Sequence, residues 1–185
     1  MKIIEVEFRA RFDESESKRL AEYLSQNAKN LGKDDKNVYF FVLPNQLLKV
    51  AHNVSKKSAK IGLKLSKIGA GSAFEEIEFD IPIEGVSNAV RLFENLDLVD
   101  GVVKIESFQQ RTNYELDGVE LSLKYSEHWG HHMELEIVVD DESKVKDAEQ
   151  KIKALADTLE LTLMTDDELL TLTNSIQQKS RKEKF

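Results

Sequence analysis

Strict alternation near the start of the chain limits what it can fold into. Over residues 2–12, Ile4, Val6, Phe8, Ala10 and Phe12 fall on one side of an extended chain, and Glu5, Glu7, Arg9 and Arg11 on the other. Such a segment is a strand with one apolar and one charged face, and its apolar face needs a cover. Two later segments repeat the pattern. Residues 73–81 set Ile77, Phe79 and Ile81 against Glu76, Glu78 and Asp80, with Pro82 ending the run. Residues 132–139 set Met133, Leu135, Ile137 and Val139 against His132, Glu134 and Glu136.

Covers are available. Residues 15–31 carry Leu20, Leu24 and Leu31 at helical intervals, with Gly32 as a stop, and residues 86–98 place Val90, Leu92, Phe93 and Leu96 on one helical face. Asp141 and Ser143 precede a third helix bearing Val145, Ala148, Ile152, Leu155 and Leu159. A last helix begins at Asp166 and runs into a basic tail over residues 179–184. Between the first two helices, residues 37–43, 46–53 and 59–67 read as a three-strand meander. A second set of strands begins near Val102, and Asp117-Gly118 between apolar runs signals a hairpin. The fold class is α+β with mostly antiparallel strands; the two halves share a strand-then-helix layout but no residue-level repeat.

With 185 residues and no long Gly, Pro or Ser tract, the chain reads as a single domain, 1–185. A net charge of -8 argues against broad electrostatic binding to nucleic acid or to an anionic membrane. The absence of cysteine excludes disulfides and thiolate metal sites, and with no signal-peptide core or membrane span in the sequence the expected location is cytoplasmic.

A half-buried antiparallel strand ordinarily shows its polar face to water. Three Glu-x-Glu pairs in separate strands (Glu5 and Glu7, Glu76 and Glu78, Glu134 and Glu136) make the alternative worth weighing, because period two puts both carboxylates of each pair on one face. Either these faces are solvated on an open sheet, or they line the lumen of a closed barrel. A shared lumen would need cations; Arg9 and Arg11 continue the first charged face, and Lys49, Lys60, Lys64, Arg111 and Lys124 sit in other strands. Carboxylates beside Lys and Arg suit a polyphosphate bridged by Mg or Mn.

Glu5-Val6-Glu7-Phe8-Arg9 resembles the ExExK signature of CYTH proteins, a group that includes thiamine triphosphatases, inorganic triphosphatases and class IV adenylate cyclases. Later segments match in order: Leu47-Leu48-Lys49-Val50, Ile61-Gly62-Leu63-Lys64, the Glu76 and Glu78 pair, Arg111, and Trp129 to Glu136, which is similar to the family's LGxFxEIE segment. The resemblance implies a closed, eight-stranded antiparallel barrel, with helices packed outside and a tunnel inside. It places Glu5, Glu7, Glu134 and Glu136 around Mg or Mn, with Arg9, Lys49, Lys64, Arg111 and Lys124 around the substrate, Glu76 and Glu78 as supporting acids, and Glu5, Glu7 and Arg9 in the catalytic set. The implied activity is metal-dependent hydrolysis of inorganic triphosphate or a small organic triphosphate. A class IV adenylate cyclase and a non-catalytic binder of polyphosphate or phosphorylated ligands are the alternatives. The implied partner is a small-molecule triphosphate or polyphosphate, and the implied assembly a monomer or homodimer.

The sequence departs from the family pattern in places. Arg9 replaces a lysine, Ala51 and Gln109 stand where basic residues are common, Lys124 aligns with an aspartate, and Met164-Thr165-Asp166 offers no counterpart to a basic residue and tyrosine. His128, His131 and His132 lack an ordered ligand spacing and read as a solvated turn rather than a zinc site. Tyr114 and Trp129 read as packing residues.

Overall fold

The computed structural model describes residues 3–96 and 102–182. The elements run β1 (Ile4–Arg11), α1 (Glu14–Asn27), β2 (Lys29–Lys33), β3 (Lys36–Val42), β4 (Leu47–Asn53), β5 (Ser58–Lys64), β6 (Ala73–Ile81), α2 (Val86–Asn95), β7 (Val103–Leu116), β8 (Val119–Ser126), β9 (Gly130–Val139), α3 (Val145–Thr158) and α4 (Asp166–Lys182). Eight strands close into an antiparallel barrel in the order β7-β3-β4-β5-β6-β1-β9-β8, with the β7–β8 pairing sealing the ring. The ninth strand, β2, lies outside the ring on the β3 side of β7, where it pairs with the far half of that long strand. The open-sheet alternative is therefore excluded, and the charged faces point inward.

Local chemistry explains most boundaries. The Asp13 side chain accepts a hydrogen bond from the Glu16 N–H at 2.9 Å and so caps α1. Asp117 and Gly118 both take positive φ, 52° and 69°, as a two-residue hairpin turn matched to strand twist requires. One boundary differs from expectation. The first helix ends at Asn27, and Leu31 and Gly32 belong to β2, because pairing with Thr112 to Glu115 on β7 outweighs a weak helical pattern. α2 is described to Asn95; residues 97 and 98 of the expected helix and residues 183 and 184 of the expected tail lie outside the described residues.

The apolar strand faces point outward and are covered in sections. α1 and α3 bury Leu20, Leu24, Ile152 and Leu155 against Val6, Ala10, Leu121, Met133 and Leu135. α2 contributes Val86 and Val90 to a second cluster with Phe41, Leu48 and Val50. Each fully buried Leu or Ile contributes roughly 1.5–3 kcal/mol relative to exposure, so these faces hold the helices on the barrel. The cover stops at β6, where Ile77 and Phe79 remain about half exposed, at 50% and 56%.

Candidate functional site

Period two turns one face of each ring strand inward, and the barrel gathers these faces around a cavity of about 450 Å³. Glu5, Glu7, Arg9, Lys49, Lys64, Glu76, Glu78, Arg111, Lys124, Glu134 and Glu136 all line it. Arg11 does not; it is exposed at the end of β1. On β5 the inward position between Lys60 and Lys64 is Gly62, where an added Cβ would stand 2.6 Å from Lys49 Cε and 2.7 Å from Glu76 Oε1. The missing side chain is what lets Lys49 reach over β5 to Glu76 and Glu78 on β6.

Acids and bases interleave. Lys64 Nζ lies 3.1 Å from Glu7, 3.4 Å from Glu5 and 3.6 Å from Glu76. Lys49 Nζ lies 2.5 Å from Glu76 and 3.3 Å from Glu78, and Lys60 also pairs with Glu78. Arg9 pairs with Glu7, donates from Nε to Glu134 at 3.1 Å, and carries Trp129 against its guanidinium at 5.5 Å. Lys124 donates to the other oxygen of Glu134 at 2.8 Å. Lys124 thus engages a carboxylate rather than projecting into free space.

Three acids converge. Glu5, Glu7 and Glu136 each present an oxygen within 4.8 Å of the other two. Burial, opposed by Lys64 and reinforced by Glu76 and Glu7, pushes Glu5 up from 4.5 to about 7. Burial together with Glu5 and Glu7 pushes Glu136 up from 4.5 to about 8. Glu7 is also buried, yet Arg9 and Lys64 outweigh burial and hold it below the usual range. Glu134 is held well below that range: burial opposes its ionisation, and Lys124, Arg9 and Arg111 overcome it. Two raised carboxyls beside a third ionised one form an all-oxygen, under-neutralised donor set, which is the chemistry that fits a hard divalent cation. Of the four acids expected around metal, Glu134 is engaged elsewhere, with Arg9 and Lys124.

Around the lumen from this trio lies a network that sequence reasoning missed. Asp34, at the break between β2 and β3, is 3% exposed and accepts from Asn53 Nδ2 at 2.5 Å. It also pairs with Lys36 at 2.8 Å, Lys56 at 3.0 Å and Arg111 at 3.3 Å. These bases overcome the effect of burial and keep Asp34 ionised. One carboxylate therefore holds three cations at one wall. His132 is buried with its Nδ1–H donating to the Gly130 carbonyl at 3.0 Å; burial and Lys124 push its pKa down to about 4, so it is neutral. His128 donates to the Glu106 carbonyl and does not line this cavity, so the three histidines do not converge.

The sequence profile of the CYTH domain matches residues 3–169. Among solved structures, the PH1012 protein of Pyrococcus horikoshii OT3 is similar at 25% identity and a TM-score of 0.69, covering 85% of this chain and 91% of its own. The PH1819 protein of the same organism is 20% identical with a TM-score of 0.71, over 90% of this chain and 98% of its own. A putative adenylyl cyclase, HpAC1 from Hippeastrum, described as having a dominant triphosphatase activity, is 18% identical with a TM-score of 0.59, over 87% and 89% of the two chains. No curated protein matches the chain. No helix among the described residues is long and apolar enough to cross a membrane.

Proposed function

The chain belongs to the CYTH family, and from that premise we propose that its lumen hydrolyses a triphosphate with the help of a divalent cation, Mg or Mn. The observation that carries this is the Glu5, Glu7 and Glu136 trio on the same cavity as a wall of bases. Glu5, Glu7 and Glu136 would hold the ion, which supplies charge neutralisation for phosphate oxygens when bound. Lys36, Lys49, Lys60 and Arg111 bind the phosphate chain by charge-assisted hydrogen bonds, exchanging Asp34, Glu76 and Glu78 for phosphate oxygens. Arg9, Lys64 and Lys124 keep Glu7 and Glu134 ionised and in place. With the chain so oriented, water attacks the terminal phosphorus as the bridging P–O bond breaks, orthophosphate leaves, and no covalent nucleophile is required. The dominant triphosphatase activity attributed to the Hippeastrum relative favours hydrolysis over cyclisation.

One observation supports a second reading. The Lys124 ammonium on Glu134 removes an acid from the metal side, which suits a module that binds phosphates without turning them over. Phosphate release from tripolyphosphate, thiamine triphosphate and ATP with Mg or Mn, together with calorimetric binding, separates the two. Hydrolysis is expected from the wild type, with a loss of about a hundredfold or more in Glu5→Ala and Glu136→Ala. Micromolar binding of tripolyphosphate with no turnover on any substrate would establish the binding module instead.

A further inference from the structure

The barrel interior changes character along its length. On β3, Lys36 gives way to Phe40 and Val42; on β4, Lys49 gives way to Leu47; on β7, Arg111 and Gln109 give way to Ile105 and Val103. α4 lies across this apolar end, packing Leu172 and Ile176 on Val103, Ile105 and Trp129. At the other end Lys56 and Lys60 are partly exposed, so an arriving anion meets cations there first. Orthophosphate cleaved deep in the lumen would have diphosphate between it and that mouth, and apolar residues on its other side. Entering the apolar end would strip its water without a replacement.

The wall between β1 and β6 offers another route. β1 pairs with β9 over its whole length, Ile4 to Arg11, but with β6 only over Ile4, Glu5 and Val6. Beyond Val6 that edge is met by isolated contacts: the Glu7 N–H donates to the Ser72 carbonyl at 2.8 Å, the Arg9 carbonyl accepts from the Met164 N–H at 2.7 Å, and Ala10 bridges Leu163. Ser72 precedes β6 and Met164 precedes α4, so two separate loops, not a strand, continue the wall. Here lies a side cavity of about 680 Å³, bordered outside by Glu149 and Lys153 of α3 and Asp166 of α4. Glu7, Arg9 and Lys64 line both it and the lumen. Phe74 lines it too, although it sits opposite Glu5 on β6 and so faces inward, against Lys64 Nζ at 3.9 Å. The side cavity therefore borders the lumen at Glu7, one of the three converging acids.

Charge suits this route to an anion. Two of its acids are engaged, Glu7 by Arg9 and Lys64 and Glu149 by the Ser72 hydroxyl. Beyond them stand Lys67, which is exposed, and Lys153, whose Nζ lies over the Phe8 ring at 5.1 Å. We propose that the side cavity is an orthophosphate site on the way out of the lumen. Phosphate cleaved beside Glu7 passes Arg9 and Lys64 into it and leaves by Lys67 and Lys153, while diphosphate returns through the charged mouth. The proposal rests on the lumen hydrolysing a triphosphate.

Because the chain has no cysteine, Ser66→Cys places a single thiol on the side cavity, which benzyl methanethiosulfonate can plug after folding. Lys153→Cys does the same from α3, and Thr173→Cys on α4, which does not line the side cavity, is the control. With tripolyphosphate and Mn, acid quench reads cleavage and a phosphate-binding sensor reads free orthophosphate. Labelled Ser66→Cys and Lys153→Cys are expected to cleave the first equivalent at the unlabelled rate but to release orthophosphate at least about tenfold more slowly. Dithiothreitol should restore release, and labelled Thr173→Cys should release at the unlabelled rate. Release that keeps pace with cleavage in both labelled side-cavity variants, or a label that slows cleavage as much as release, would overturn the side exit while leaving hydrolysis in the lumen standing. No cleavage by the unlabelled protein would overturn both.

Discussion

The charged and apolar halves of the barrel interior are built partly from the same strands, yet they meet the cost of burial in different ways. At the apolar end, Val103, Ile105 and Ile176 lose water and gain nondirectional contact, so each residue's contribution depends little on pH or ions. In the charged half, Glu7, Arg9, Lys64 and Lys124 are each below a tenth exposed, and each is tolerable only because of its partners. The difference teaches that the charged half is arranged for something other than stability. A set of well-packed hydrophobic residues of similar volume would hold the barrel as well or better, whereas a network of exchangeable ion pairs can be taken over by a ligand.

The largest expected effect comes from making the charged half locally resemble the other. Lys64→Met leaves Glu5, Glu7 and Glu76 without the ammonium that touches all three. Breaking a buried pair from one side costs about 3–5 kcal/mol, so the urea midpoint in metal-free buffer should fall accordingly. Millimolar Mn should restore more than half of the loss, because an ion among Glu5, Glu7 and Glu136 replaces the missing charge. A midpoint unchanged by Mn would show that these acids do not gather a cation.

This contrast was only partly legible in the sequence. Period-two alternation marked β1, β6 and the inward acids of β9 directly, since each residue's face follows from its number alone. Asp117-Gly118 fixed the β7–β8 pair for the same local reason. β2 was not legible, because Lys29-Asn30-Leu31-Gly32-Lys33 has one strongly apolar residue and becomes a strand only by pairing with β7. Asp34 was missed because its partners Asn53, Lys56 and Arg111 are distant in sequence, and nothing local marks a loop acid as buried. Lys124 stood out as a departure from the family pattern. Its engagement with Glu134 depends on the β8–β9 register, which sets Lys124 opposite His132, beside the Ser122–Glu134 pair. The apolar end required the β3–β4–β7 register together with the placement of α4.

A smaller effect should appear on titration, because the two acids are coupled and do not ionise independently. Glu5 and Glu136, raised from 4.5 to about 7 and about 8, keep their protons in the folded chain where the unfolded chain has released them. The native state thus binds more protons between these limits, and the stability of the metal-free protein should fall as pH rises from about 4.5 through 8. Denaturant melts across this window should show the decline in the wild type and about half of it in Glu136→Gln. A profile that stays flat above the ordinary carboxylate range would mean that Lys64 and Arg9 dominate the trio and that the acids are already ionised.

The smallest effect is the control that makes the other two interpretable. Ile105→Val deletes one methylene from the apolar end, where the side chain packs under α4, and should cost about 1 kcal/mol. The decrement should not follow the charged half with pH or with Mn, because Glu5, Glu7 and Glu136 lie outside that cluster. If it instead grew with pH in parallel with the charged half, the two compartments would not be energetically separate: opening at the trio would loosen α4 as well, and the helix would report on the state of the acids it does not touch.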